Sequence, residues 1–202
     1  MTKKLLSLDN NINYIVSGIE RSGTSMLMQI LHAGSVPIAS DSSRPPNHHN
    51  PKGYYELEGG KIINRLIDGT FPLEKFKGTF IKITAYGLKY LPPGNYKIIY
   101  SERNIEEILD SMEKMAGITD DNRHKTKESF IKLNRIMKRK IKEREDIEVL
   151  FLNYNEILLD PKTHIRSISE FLDLPEADLD NMIQTIDTKL YRQRRGTGEH
   201  NK

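Results

Sequence analysis

Cysteine is absent from the 202-residue chain, which excludes disulfides, zinc–thiolate sites, iron–sulfur clusters and cysteine nucleophiles. Tryptophan is absent as well. No run approaches the ~18 consecutive apolar residues that span a bilayer. The amino-terminal MTKKLLSLDNN has a basic start but only a broken apolar run, so a signal peptide is not expected. Neither sign of charge dominates: 31 Lys and Arg against 28 Asp and Glu leave +3, too little to demand a nucleic-acid partner. These absences predict a cytoplasmic protein without a membrane span. Hydrophobic residues at 37% and charged residues at 29% fit a globular chain rather than a disordered one. Residues 1–202 read as one domain.

Apolar, β-branched runs alternate with helical patterns, which predicts an α/β fold with a mostly parallel sheet of about four or five strands. Strands are expected at Ile12–Ser17, Thr79–Thr84, Tyr96–Ser101 and Ile147–Leu152. Helices are expected near Gly23–Ala33, Leu57–Ile67, Ile105–Met115, Lys125–Glu145, His164–Leu172 and Ala177–Ile186. Residues 35–54, rich in proline and turn formers, read as a long functional loop. The tail from about 190 to 202 reads as flexible. In the basic helix, Phe130, Leu133, Met137 and Ile141 recur at helical spacing and predict a core-facing stripe under a solvated charged face. That charged face is also a candidate surface for an anionic acceptor such as a glycan.

The sharpest motif is a strand, a turn and a helix in IVSGIERSGTSMLMQIL. Gly18-x-x-x-x-Gly23-Thr24-Ser25 has Walker A spacing with Thr in place of the Lys. The glycines let backbone approach an anion without a Cβ in the way. The helix start aims free N–H groups and its positive dipole end at a phosphate. Ser22, Thr24 and Ser25 offer hydroxyls, and Arg21 supplies a cation from inside the loop. The missing Lys argues against a conventional ATPase. So does the second strand end: Ile147–Leu152 is followed by Asn153. Glu102 could mimic the magnesium-holding acid, but Arg103 stands beside it.

GIERSGTSML resembles the 5′-phosphosulfate loop of sulfotransferases that use 3′-phosphoadenosine 5′-phosphosulfate (PAPS). YSERNIEEILDSM, with Arg103 and Ser111, is similar to that family's 3′-phosphate motif. NPKGYYELE and VLFLNYNEILLDPKTHIRSISEFLDLP resemble further family segments. Arg194-Arg195-Gly196 resembles the element that closes over the cofactor. The resemblance runs from about residue 12 to 196. It implies a three-layer α/β/α fold with a P-loop-type, mostly parallel central sheet. It implies sulfuryl transfer from PAPS to a hydroxyl or amine, releasing 3′-phosphoadenosine 5′-phosphate (PAP), with no metal required. The acceptor is unspecified, a glycan or a small molecule. Arg103 at a strand end and Ser111 on the next helix also make a reasonable phosphate cradle on chemical grounds.

The chain departs from the family at two positions. Met26 replaces the aromatic that stacks on adenine in cytosolic members, which leaves Tyr154 as the candidate by family position. Thr84, two residues after Lys82, replaces the catalytic His. The general base is therefore sought elsewhere. Glu56 is the first choice, because it joins the loop to a predicted helix and acidic residues after such a segment resemble the base position in bacterial relatives. A partly buried site that raised its pKa would help it. His48 is second and His49 third. A paired His48–His49 metal site is not expected, since adjacent side chains diverge. A small P-loop kinase and a nucleotide-binding protein without catalysis stand as alternatives. Asp120, Asp121 and Asp160 read as turn and cap residues.

Overall fold

Strands buried on both faces need nearly unbroken apolar runs, and each predicted strand has one. The computed structural model describes residues 5–175 and 179–187. Among them, β1 (Asn13–Gly18), β2 (Phe80–Lys82), β3 (Tyr96–Glu102) and β4 (Ile147–Asn153) form one sheet in the order β2-β1-β3-β4. All three pairings are parallel. Ile15 lies opposite both Ile81 and Ile98, and Ile98 opposite Val149, which fixes the register.

The helices are α1 (Thr24–Ala33), α2 (Ile62–Ile67), α3 (Ile105–Ala116), α4 (Arg123–Lys142), α5 (Tyr154–Leu159), α6 (Pro161–Leu172) and α7 (Leu179–Gln184). Strand alternation divides the apolar side chains into two cores. Ile15, Ile81, Ile98 and Tyr100 face Ile108 of α3 and Met137 and Ile141 of α4. Val16, Phe80, Ile99 and Leu152 face Leu27 and Leu31 of α1, Ile165 and Ile168 of α6 and Met182 of α7. The result is the three-layer α/β/α arrangement. Phe130 and Leu133 pack on the first core, so the apolar stripe of α4 does face inward.

Three local expectations need correction. The helix expected over Leu57–Ile67 is broken: Glu58–Gly60 form a 3₁₀ turn with φ of 52°, 62° and 85°, and only Ile62–Ile67 is α-helical. Three consecutive left-handed residues cannot continue a right-handed helix, and Gly59-Gly60 makes the break cheap. The helix expected from His164 begins at Pro161, which occupies the first turn after the Asp160 cap. Helix α5 was not anticipated. Asn153 starts it by accepting hydrogen bonds from the N–H groups of Asn155 and Glu156. Within the expected helix Ala177–Ile186, α7 covers Leu179–Gln184.

The topology puts the site at one place. The chain runs from β1 to β2 on one side and then crosses to β3 on the other. Crevices at the carboxyl ends of strands beside such a reversal are where open parallel sheets bind ligands. Gly18, Lys82, Arg103 and Tyr154, at or just beyond the ends of β1, β2, β3 and β4, all line one cleft of about 370 Å³.

Candidate functional site

The loop between β1 and α1 is shaped by its glycines. At Gly18, φ is 151° and a Cβ would lie 2.5 Å from the Ser101 carbonyl oxygen. At Gly23, φ is 108° and a Cβ would lie 2.4 Å from the Tyr154 ring. Arg21 also adopts a positive φ, 66°, which swings its side chain into the cleft that it lines. The Ser101 hydroxyl donates to the Ser22 carbonyl at 2.7 Å and ties the loop to β3. Helix α1 has no side-chain N-cap and no acidic residue in its first turn. Its first-turn amides therefore have no intrahelical acceptor and no competing carboxylate. Thr24, Ser25 and Met26 line the cleft there.

Cations converge on this helix start. Arg21 Nε donates to Ser111 Oγ at 2.9 Å. Arg103 Nε donates to Glu107 Oε2 at 3.0 Å, and its Nη1 donates to the Arg21 carbonyl at 3.2 Å. The Arg103 guanidinium lies 4.5 Å over the Tyr154 ring. Asn155 Nδ2 also donates to Glu107 Oε2, at 3.0 Å. Burial pushes the Arg21 guanidinium below its ordinary pKa, and Arg103 and Arg44 push the same way. An anion placed among these groups relieves that crowding.

A second cluster forms the opposite wall. Lys82 Nζ sits 2.9 Å from Glu56 Oε1 and donates to Ser25 Oγ at 3.1 Å. Arg44 Nη1 donates to Glu56 Oε2 at 2.9 Å, and its guanidinium stacks 3.7 Å over the Tyr54 ring. The Lys82 and Glu56 side chains are 6% and 12% exposed, so water screens this pair little. Burial lowers the Lys82 pKa, with Glu56 opposing and Arg44 and Arg21 reinforcing the effect. Burial alone raises the Glu56 carboxyl, but the charges and hydrogen bonds of Lys82 and Arg44 outweigh it. The carboxyl lies below its ordinary value. Partial burial therefore does not give Glu56 the raised pKa that would suit a general base.

The cleft thus brings together Gly18, Arg21, Gly23, Thr24, Ser25, Glu56, Arg103, Ser111 and Tyr154. Ser22 instead lines a separate hollow; the residue is 1% exposed and its hydroxyl has no hydrogen bond among the described residues. His48 does not line the cleft, whereas its neighbour His49 does. Tyr154 is buried against Gly23 and under Arg103. Thr84 lines the cleft, and Glu102 pairs with Lys138 at 2.6 Å away from it. Arg194, Arg195 and Gly196 lie outside the described residues. Sequence reasoning missed Arg44, Glu107 and Asn155. Glu107 was findable, four residues after Arg103 at the start of a helix; Arg44, in an irregular loop, carried no signal.

A loop with uncapped helix amides and guanidiniums beside it, set at the carboxyl end of a parallel sheet, is an arrangement suited to a phosphorylated ligand. The family follows from comparison: the sulfotransferase-domain model matches residues 12–201, and the chain belongs to that family. None of the curated proteins matches it. Among solved structures, the fold is similar to retinol dehydratase in complex with androsterone and inactive cofactor PAP (TM-score 0.55, 16% identity, 91% of this chain and 66% of that one). It is also similar to a mouse sulfotransferase complexed with PAP (TM-score 0.53, 16% identity, 94% and 68%). A third is the sulfotransferase domain from the Synechococcus PCC 7002 olefin synthase (TM-score 0.50, 16% identity, 95% and 87%). The chain spans about two thirds of the length of the first two.

Proposed function

We propose that this chain transfers a sulfuryl group from PAPS to a hydroxyl or amine of an acceptor and releases PAP. The observation that carries the reading is the convergence, in one cleft, of the uncapped α1 start, the Arg21–Ser111–Arg103 cluster and a buried Glu56–Lys82 pair. The residues present suit a nucleotide with phosphates at two positions. The α1 amides, Thr24, Ser25 and Arg21 hold the 5′ end; Arg103 and Ser111 hold the 3′-phosphate. Tyr154 is assigned to the adenine, and Arg194, Arg195 and Gly196 to closing over the bound nucleotide. PAPS supplies the activated sulfuryl group.

The remaining work falls to the protein's own side chains. Positioning and charge stabilisation dominate transfers of this kind. Lys82, hydrogen-bonded to Ser25 at the α1 start, is placed to offset negative charge growing beside that hydroxyl. Glu56 accepts the acceptor's proton, and Lys82 and Arg44 fix its orientation. An anion beside Ser25 competes with Glu56 for Lys82. Each hydrogen bond Lys82 gives to that anion leaves Glu56 more basic, which offsets its depressed resting pKa. His48 and His49 remain the second choice for this role. A cytoplasmic location belongs to the same proposal; among the described residues no helix is long and apolar enough to cross a membrane. The test is chromatographic: PAP release from PAPS, followed with a panel of phenolic, sugar and amine acceptors. Release that depends on acceptor and protein supports the reading; neither PAP release nor PAP binding overturns it.

A further inference from the structure

Glu56 stands in a strained stretch of backbone. Tyr55 on one side and Glu58 on the other adopt left-handed φ of 54° and 52°. Residues other than glycine hold such angles only where their surroundings over-determine them. The ties come from one residue of the long loop. The Asp41 N–H donates to the Glu56 carbonyl at 3.0 Å, and Asp41 Oδ2 accepts from the Glu58 N–H at 2.7 Å. Asp41 thus grips the chain at Glu56 itself and again two residues further on.

The second oxygen of the same carboxylate does a different job. Asp41 Oδ1 accepts from the Ser43 N–H at 2.8 Å, which closes a turn. Arg44, the next residue, comes back onto Glu56 Oε2 at 2.9 Å. The two Glu56 oxygens are therefore held separately, Oε1 by Lys82 and Oε2 by Arg44. Without Arg44 the carboxylate keeps one tether and is free to turn about it. Asp41 itself is exposed and does not line the cleft. Its carboxyl lies below the ordinary value, first through the Ser43 hydroxyl and then through the Glu58 and Ser43 amides, so at neutral pH both oxygens accept.

Resting on the reading of Glu56 as the base, we propose that Asp41 is its positioning residue: it fixes the backbone on which Glu56 stands and the turn that brings Arg44 to it. A general base works only within hydrogen-bond reach of the proton it takes. A displacement of about 1 Å is enough to cost roughly 10²-fold in rate. Asp41 acts through Glu56 and Arg44 and touches neither the nucleotide nor the acceptor.

Turnover and PAP affinity of the full chain test this in wild type, Asp41→Asn, Asp41→Ala, Glu56→Gln and the double variant Asp41→Asn with Glu56→Gln. PAP release from PAPS is followed with phenol, glucosamine and water as acceptor probes, and the Kd for PAP by calorimetry. Asp41→Asn keeps the side-chain size and one acceptor oxygen, and loses one of the two amide contacts. It should lower kcat roughly 10- to 100-fold and leave the Kd for PAP almost unchanged. Asp41→Ala loses both contacts and should lower kcat at least as far. In the double variant the Asn substitution should add almost nothing to the loss from Glu56→Gln, because the group being positioned is gone. If Glu56→Gln lowers turnover and Asp41→Asn does not, the inference falls while the base reading stands. It falls too if Asp41→Asn weakens PAP binding along with turnover, or if the two losses add in full, since either marks a general structural role. If Glu56→Gln matches wild type, including no PAP release from either, the base reading fails and takes this inference with it.

Discussion

Arg21 Nε donates a 2.9 Å hydrogen bond to Ser111 Oγ and joins the phosphate loop to α3 across 90 positions of sequence. The hydroxyl accepts from Arg21 and keeps its own proton for a ligand. The groups assigned to the 5′ and 3′ ends of the nucleotide are thus in direct contact, and a ligand with phosphates at both ends engages them together. Ser111→Ala should weaken PAP binding while leaving AMP binding almost unchanged. Arg103→Ala should cost roughly 1.5–3 kcal/mol of PAP affinity, the worth of a charge-assisted hydrogen bond. Because that variant strands buried Glu107, each comparison is made between PAP and AMP within the same protein. Equal losses for the two nucleotides would refute the assignment.

Turnover and binding should separate at Arg21. Its cation is held in the cleft by backbone shape and by Ser111, so its contribution should grow as charge shifts during transfer. Arg21→Ala should lower kcat far more than it raises the Kd for PAP. A variant with normal kcat and raised KM alone would show that Arg21 only binds.

Glu56→Gln should reduce turnover by roughly 10²–10⁴ with PAP binding intact, the usual contribution of a general base. The Glu56 carboxyl is depressed, so its base form persists as pH falls, and the acid limb of kcat/KM for wild type should lie below about 4.3. Lys82→Met removes the more buried of the two cations that hold Glu56 and should move that limb upward. The same depression is a stability effect. It is present above the ordinary carboxyl value and is lost as pH falls through the depressed one. The Tm difference between wild type and Glu56→Gln should therefore shrink on acidification. A difference that grows toward low pH contradicts the direction of the shift.

Gly23→Ala tests the shape of the loop. The new methyl meets both a φ of 108° and the Tyr154 ring at 2.4 Å. The strain alone is worth about 1–3 kcal/mol, and a fall in Tm accompanied by loss of PAP binding is expected. Gly117→Ala serves as the comparison, since it has a positive φ and nothing within 4 Å. It should lower Tm without touching PAP binding.

The strands and the phosphate loop were legible because each depends on local pattern. The apolar runs around Ile15, Ile98 and Val149 form strands wherever they pair, and the spacing from Gly18 to Ser25 carries its own geometry. Arg103 and Ser111 were paired through the resemblance to a 3′-phosphate motif, and both line the cleft. The break at Gly59-Gly60 was missed because the apolar periodicity across Leu57–Ile67 outweighed two adjacent glycines in the reading. The ion pairing of Glu56 was hidden for a different reason. Its partners, Lys82 at the end of β2 and Arg44 in the long loop, are brought to it by the fold rather than by sequence distance. The direction of its pKa shift depends on those partners and could not be read beforehand. His48 and His49 are adjacent in sequence and equal in chemistry, and only the loop's path decides which of them faces the cleft.

The central claim is that the cleft is built for a nucleotide carrying a 3′-phosphate and needs no metal to bind it. A thermal-shift series with PAP, AMP and ATP, each with and without Mg²⁺, tests it most directly. The account predicts a large rise in Tm with PAP, unchanged by Mg²⁺, and small rises with AMP and ATP. A larger rise with ATP that requires Mg²⁺, or equal rises with PAP and AMP, would contradict it.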